Sequence, residues 1–194
     1  AQEDAEIIYD VNAKNQDELN EMIDRQQFET LFKTVKVQAG DFFYVPAGTV
    51  HAIGKGIMIL ETQQSSDTTY RIYDYDRVDK DGNKRDLHLE QSKAVIHLSE
   101  DSPNTTAIHE NIQGQQYTQF VSNDFFTVER WVIAGNLNYR KPHDYCLVSI
   151  VEGSGQITVD GSDYSLNKST HFILTTEDTE IKFNGDMTMI VSHV

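Results

Sequence analysis

Three residues in the first half of the chain, His51, Glu61 and Arg71, are of the types that metal-assisted and proton-transfer chemistry uses. Neutral imidazole is the commonest side-chain ligand of a divalent metal. A carboxylate can hydrogen-bond a substrate or shuttle a proton, and an arginine keeps its charge at any working pH and can stabilise a developing oxyanion. Each also has a plainer reading. A lone histidine at a turn is more often satisfied inside a fold than bound to metal. Glu61 can be an edge carboxylate in solvent, and Arg71 can pair with Asp74 or Asp76. Tyr44 and Tyr70 are weaker candidates, Tyr44 for lining a pocket. Lys84 and Arg85 follow a turn and read as solvated charges, with a phosphate as the alternative partner.

The elements that must position these residues start with GDFFYVPAGTVHAI, from Gly40 to Ile53. Alternating strand residues run into Val45-Pro46-Ala47-Gly48, which reads as a turn because proline removes a ladder donor and glycine tolerates positive φ. The chain then re-enters a strand with His51 just past the bend, which would aim the imidazole into a barrel mouth. Residues 56–63 read as a strand carrying Glu61, and residues 68–75 as a strand carrying Arg71. Strand parity alone does not fix which way Glu61 faces.

Upstream, residues 5–11 alternate as a strand. Asn15 and Glu18 have capping-box spacing, and Leu19, Met22, Ile23, Phe28, Leu31 and Phe32 recur at helical intervals. Residues 16–32 are therefore one or two short amphipathic helices with a core-facing stripe. Residues 34–39 read as a strand, Asp81-Gly82-Asn83-Lys84 as a hairpin turn, and 87–98 as a short strand followed by a helix.

The polar stretch SEDSPNTT, residues 99–106, is the best boundary. It divides a first domain, 1–100, from a second, 101–194. Beyond it come short β segments at 116–121, 125–134, 145–152, 156–159, 171–175, 179–183 and 187–192, with glycine-containing turns between them, as in an all-β sandwich or barrel. His109, His143, His171 and His193 read as ordinary histidines, and Cys146 as a small apolar core residue.

Sixteen Lys plus Arg stand against 31 Asp plus Glu, a formal net charge of −15. That balance argues against nucleic acid and anionic membrane surfaces as partners, since both select basic patches. An anionic small molecule would need a local basic group. The single cysteine excludes an internal disulfide and suits a reducing cytoplasm, and no apolar run approaches membrane-spanning length. Ala1 is followed almost at once by a strand with no turn or cap before it, so the expectation is a fragment or processed product.

The spacing G-x5-P-x-G-x2-H from Gly40 to His51 resembles the second signature motif of cupin barrels. With ILETQQSSDTTYRIYDYDR and the LHLEQ segment from Leu87, the chain is similar to the type I mannose-6-phosphate isomerases of Gram-positive bacteria. The resemblance implies an all-β fold with a few short helices, made of a partial first cupin-like barrel and a degenerate second one, in which VEGSGQITVDG is a cupin-like phrase. It implies interconversion of mannose 6-phosphate and fructose 6-phosphate through a zinc-assisted enediol. His51 would be a zinc ligand and Arg71 the active-site arginine, while Glu61, ten residues from each on the strand that continues from the bend, would face the substrate as hydrogen-bond partner or proton shuttle. Catalytic zinc takes about three protein ligands. The family's Gln-Val-His-Pro and Gly-Lys-Thr-Glu stretches are not found here, and no histidine precedes Gly40. The chain alone is therefore expected to bind zinc poorly and to be inactive. The rival readings are a non-catalytic sugar-binding or sensor cupin, and a cupin dioxygenase, which would need a two-histidine, one-carboxylate iron triad that the sequence does not show.

Overall fold

The computed structural model describes residues 1–66, 68–75, 77–98 and 105–194. The chain gathers into two compact units, Ala1–Asn104 and Thr105–Val194. The boundary expected at 99–106 falls mostly outside the described residues.

In the first unit, β1 (Glu6–Val11) is the centre of a three-stranded antiparallel sheet, flanked by β2 (Phe32–Lys36) and β3 (His51–Ile53). The alternation read at 5–11 is real: Ile7, Tyr9 and Val11 are buried. Helices α1 (Gln16–Asp24) and α2 (Phe28–Leu31) bury Leu19, Ile23, Phe28 and Leu31 in one core with Val11 and Ile72. Asn15 caps α1, its side chain accepting from the Glu18 N–H at 2.9 Å, while Glu18 reaches back to the Lys14 N–H at 2.8 Å. Helix α3 (Leu89–Val95) is tied to α1 by Lys93, which meets Asp24 at 2.5 Å. The turn expected at Asp81–Lys84 closes a strap in which Val78 bridges Lys84.

Several strand expectations fail here. Residues 41–46, which lead into the bend, and residues 56–63 and 68–75 form no strand. Their composition has β propensity, but a strand exists only as a rung of a ladder, and no described segment pairs with them. The IMIL run is left open, with Met58 92% exposed and Ile59 and Leu60 exposed beside it. The short strand expected at the start of 87–98 is also absent, although the helix is present.

The second unit is one antiparallel sheet of β4 (Ile108–Ile112), β5 (Gln115–Ser122), β6 (Thr127–Tyr139), β7 (Cys146–Val159), β8 (Ser162–Asn167), β9 (His171–Leu174) and β10 (Ile181–His193). The order is β4-β5-β6-β10-β7-β8, with β9 also on β7. Its core includes Trp131, Ile133, Val148, Phe183, Met187 and Met189. Segments expected as pairs, 145–152 with 156–159 and 179–183 with 187–192, are single long strands. The glycines that looked like punctuation allow close backbone approach instead. Gly185 of β10 lies opposite both Gly135 of β6 and Gly155 of β7. A Cβ on Gly155 would sit 2.4 Å from the Asn184 carbonyl oxygen, and one on Gly185 would sit 2.5 Å from the Gly155 Cα. Beside Gly135, the buried Gln115 amide donates to the carbonyls of Ala134 and Asn136, each at 3.3 Å, and accepts from the Ala134 N–H at 2.7 Å.

Candidate functional site

The turn before His51 is held from two sides. Gly48 has φ +86°, and a Cβ there would lie 2.3 Å from the His97 Cδ2 and 2.6 Å from the Val95 carbonyl oxygen, so the end of α3 packs directly on it. The His97 N–H donates to the Gly48 carbonyl at 3.1 Å. On the other side, Asp10 N–H donates to the Val50 carbonyl at 2.7 Å, and Tyr9 of β1 pairs with His51 of β3. The buried Tyr9 donates its phenol proton to the Tyr44 carbonyl and sits edge-on to Phe43 at 5.2 Å. Burial raises the Tyr9 pKa, and neighbouring Asp10 adds to the rise.

His51 itself is exposed, with Nδ1 3.0 Å from the Thr49 carbonyl oxygen. A carbonyl can only accept, so the proton sits on Nδ1 and the lone pair of Nε2 is left for a ligand. Tyr9 and the α3 terminus, which fix this bend, carried no signal in the sequence beyond strand alternation and helical periodicity.

Arg71 is anchored to the segment before α3. Its N–H donates to His88 Nδ1 at 3.2 Å, its carbonyl accepts from the His88 N–H at 2.8 Å, and its Nη1 donates to the Asp86 carbonyl at 3.1 Å. It does not take Asp74 as its partner. The buried Asp74 is clasped by Arg85, whose Nε donates to Oδ2 at 2.7 Å while Nη2 reaches Oδ1. Arg85 keeps half its side chain in solvent, as expected of a solvated charge, and is in addition an ion-pair partner of Asp74. Its hydrogen bond holds the Asp74 carboxyl below the usual carboxylate range, with the fields of Arg85, Arg71 and Arg77 adding to the effect.

Glu61 lies outside any strand, is exposed, and makes no hydrogen bond or ion pair with the described residues. No hydrogen bond, ion pair or ring contact joins His51, Glu61 and Arg71 to one another among the described residues. Nor do the described residues hold a group of three His, Cys, Asp or Glu side chains able to bind a metal ion. The chemistry of His51 suits zinc, but one donor falls short of the three or so that a catalytic zinc takes. In the second unit Cys146 is a core residue: it is fully buried, its thiol pKa is raised by desolvation, and the Tyr139 hydroxyl lies 3.7 Å from its sulfur.

Residues 116–194 match the family described as mannose-6-phosphate isomerase, cupin domain. The chain is 49% identical over 193 residues to the mannose-6-phosphate isomerase of Streptococcus mutans and 44% identical over 193 residues to the isomerase ManA of Bacillus subtilis. Both alignments take in 100% of this chain and 61% of the relative, so the chain spans about three-fifths of the length of these relatives. The crystal structure of the Bacillus subtilis mannose 6-phosphate isomerase superposes with a TM-score of 0.94 at 37% identity, covering 100% of this chain and 62% of that one. The expected cupin architecture, mostly antiparallel β with short helices, is borne out. Among the described residues no helix is long and apolar enough to cross a membrane.

Proposed function

The chain is homologous over its whole length to mannose-6-phosphate isomerases and carries their cupin domain, and on that footing we propose that it is the part of such an isomerase that brings His51 and Arg71 to the reacting centre. The reaction is the interconversion of mannose 6-phosphate and fructose 6-phosphate. A proton leaves C2, a cis-enediol(ate) forms, and a proton returns to C1. Negative charge develops on oxygen in that intermediate. Arg71 meets it with a cation whose Nη1 is pinned on the Asp86 carbonyl and whose backbone is held by His88, through its ring Nδ1 and its own N–H. Glu61 is proposed as substrate partner or proton shuttle, a role its exposed position leaves open to a sugar.

In the longer isomerases zinc would act as a Lewis acid on the substrate oxygens. His51 Nε2 is this chain's candidate donor, and the described residues alone fall short of a zinc site. The chain by itself should therefore lack turnover. The sugar phosphate is its proposed partner, and its one buried cysteine suits a reducing cytoplasm.

The observation that carries this reading is the superposition of the entire chain on the Bacillus subtilis isomerase. The test uses a full-length isomerase carrying this chain. His51→Ala should lose bound metal by elemental analysis. Arg71→Ala should keep the metal and lose about a hundredfold or more in kcat. Undiminished kcat would remove Arg71 from the reaction, and retained metal in the histidine variant would remove His51 from the metal site. The short donor set also favours a second reading, a sugar-binding module without catalysis. It requires that the full-length protein carrying this chain bind mannose 6-phosphate without turning it over.

A further inference from the structure

Two histidines far apart in sequence lie face to face in the second unit. His143, in the connection between β6 and β7, stacks on His193, the last residue of β10, with ring centroids 3.4 Å apart and planes 15° from parallel. His193 is 8% exposed, and its Nδ1 is buried without a hydrogen-bond partner. Parallel rings keep their in-plane lone pairs side by side and do not converge them on one point, so the pair is poorly shaped for a metal. The arrangement is sensitive to protons. Charging the buried His193 ring costs desolvation, and a second charge on the ring stacked over it would set two cations against each other.

The surrounding groups do not cancel that cost. Desolvation comes first and His143 second in pulling the His193 pKa below the ordinary histidine value, while Glu129 of β6 and the backbone of Val194 pull it upward. Glu129 is already engaged, accepting from the Trp131 indole N–H at 2.7 Å. In the connection, the Lys141 ammonium is taken up by the carbonyls of His143 at 2.6 Å and Asp144 at 2.9 Å. β7 begins at the buried thiol of Cys146. Apart from the stack, residues 140–145 are held by Thr176, which donates to the Asp144 carbonyl at 3.0 Å.

We propose that the His143–His193 stack is a proton-operated latch: as the solution turns mildly acidic, charging the rings parts them and frees residues 140–145 from the sheet. The neutral pair is favoured by the fold, so the latch is closed above the ordinary histidine pKa of about 6.5 and opens as pH falls below it.

The test is amide hydrogen exchange of the 194-residue chain, corrected for intrinsic rates, alongside NMR titration of the histidine rings. Between about pH 7.5 and about pH 5, protection at the start of β7, residues 146 and 147, where the ladder takes over from the connection, should fall roughly tenfold while the rest of β6 and β10 is unchanged. His143→Phe keeps a flat ring over His193 and removes one charge, and a cation over a phenyl face is attractive. The loss of protection should therefore shrink in this variant, the part that remains being set by the desolvation of His193. An equal loss in His143→Phe would overturn the proposal. Wild-type rings that titrate with no change in protection would overturn it too, and that readout needs no variant to fold.

Discussion

A carboxylate as buried as Asp74 needs a partner, and Arg85 supplies one. Removing that guanidinium strands a charge, so Arg85→Ala should lower the thermal midpoint of the first unit by several degrees at neutral pH. The sign of its pH dependence follows from the depressed Asp74 pKa. The pair stabilises above the ordinary carboxylate range of about 4, and that contribution is lost as pH falls through the lower folded value. Melting curves at falling pH should show wild type and variant converging in acid. The pairing was not legible in sequence because it is off register: Val78 faces Lys84 across the turn, whereas Asp74 takes Arg85 from further along the strap. His51 was legible as an imidazole just past a proline-glycine bend. Its tautomer was not, since that depends on the backbone carbonyl of Thr49.

At the level of elements, signals closed within a few residues were readable and those needing a distant partner were not. The Asn15 cap is local, and Asn15→Ala should cost about 1 kcal/mol in urea unfolding of the first unit. Residues 56–63 show the opposite case, since their β-forming composition meets no partner strand among the described residues. The long strands β7 and β10 were each read as two because glycine in a sequence usually marks a turn. At Gly155 and Gly185 it marks a place where backbones approach too closely for a side chain. Gly155→Ala should accordingly destabilise the second unit by about 1–3 kcal/mol or more, measured by denaturant titration, with little change in the first.

For the molecule as a whole, each unit has its own buried cluster. A polypeptide of residues 105–194 should therefore fold alone, with dispersed amide NMR signals and a cooperative melt. The core-facing stripe read at 16–32 matches the buried Leu19, Ile23, Phe28 and Leu31, and Cys146 is buried as read, since burial is set by pattern more than by partner. Exposed Met58, Ile59 and Leu60 offer an apolar patch on a chain whose net charge of −15 sets one copy against another. Raising salt from about 0.02 M to about 0.5 M screens that repulsion, so light scattering should report association at high salt. Met58→Glu should suppress it.

The glycine alignment across β6, β10 and β7 also bears on how such a gene can change length. Gly185 and Gly155 must stay level with one another, so one codon gained or lost inside β10 or β7 would carry a side chain into that close approach. Insertions and deletions in descendants should therefore collect in the hairpin tips, where adding residues leaves the alignment untouched.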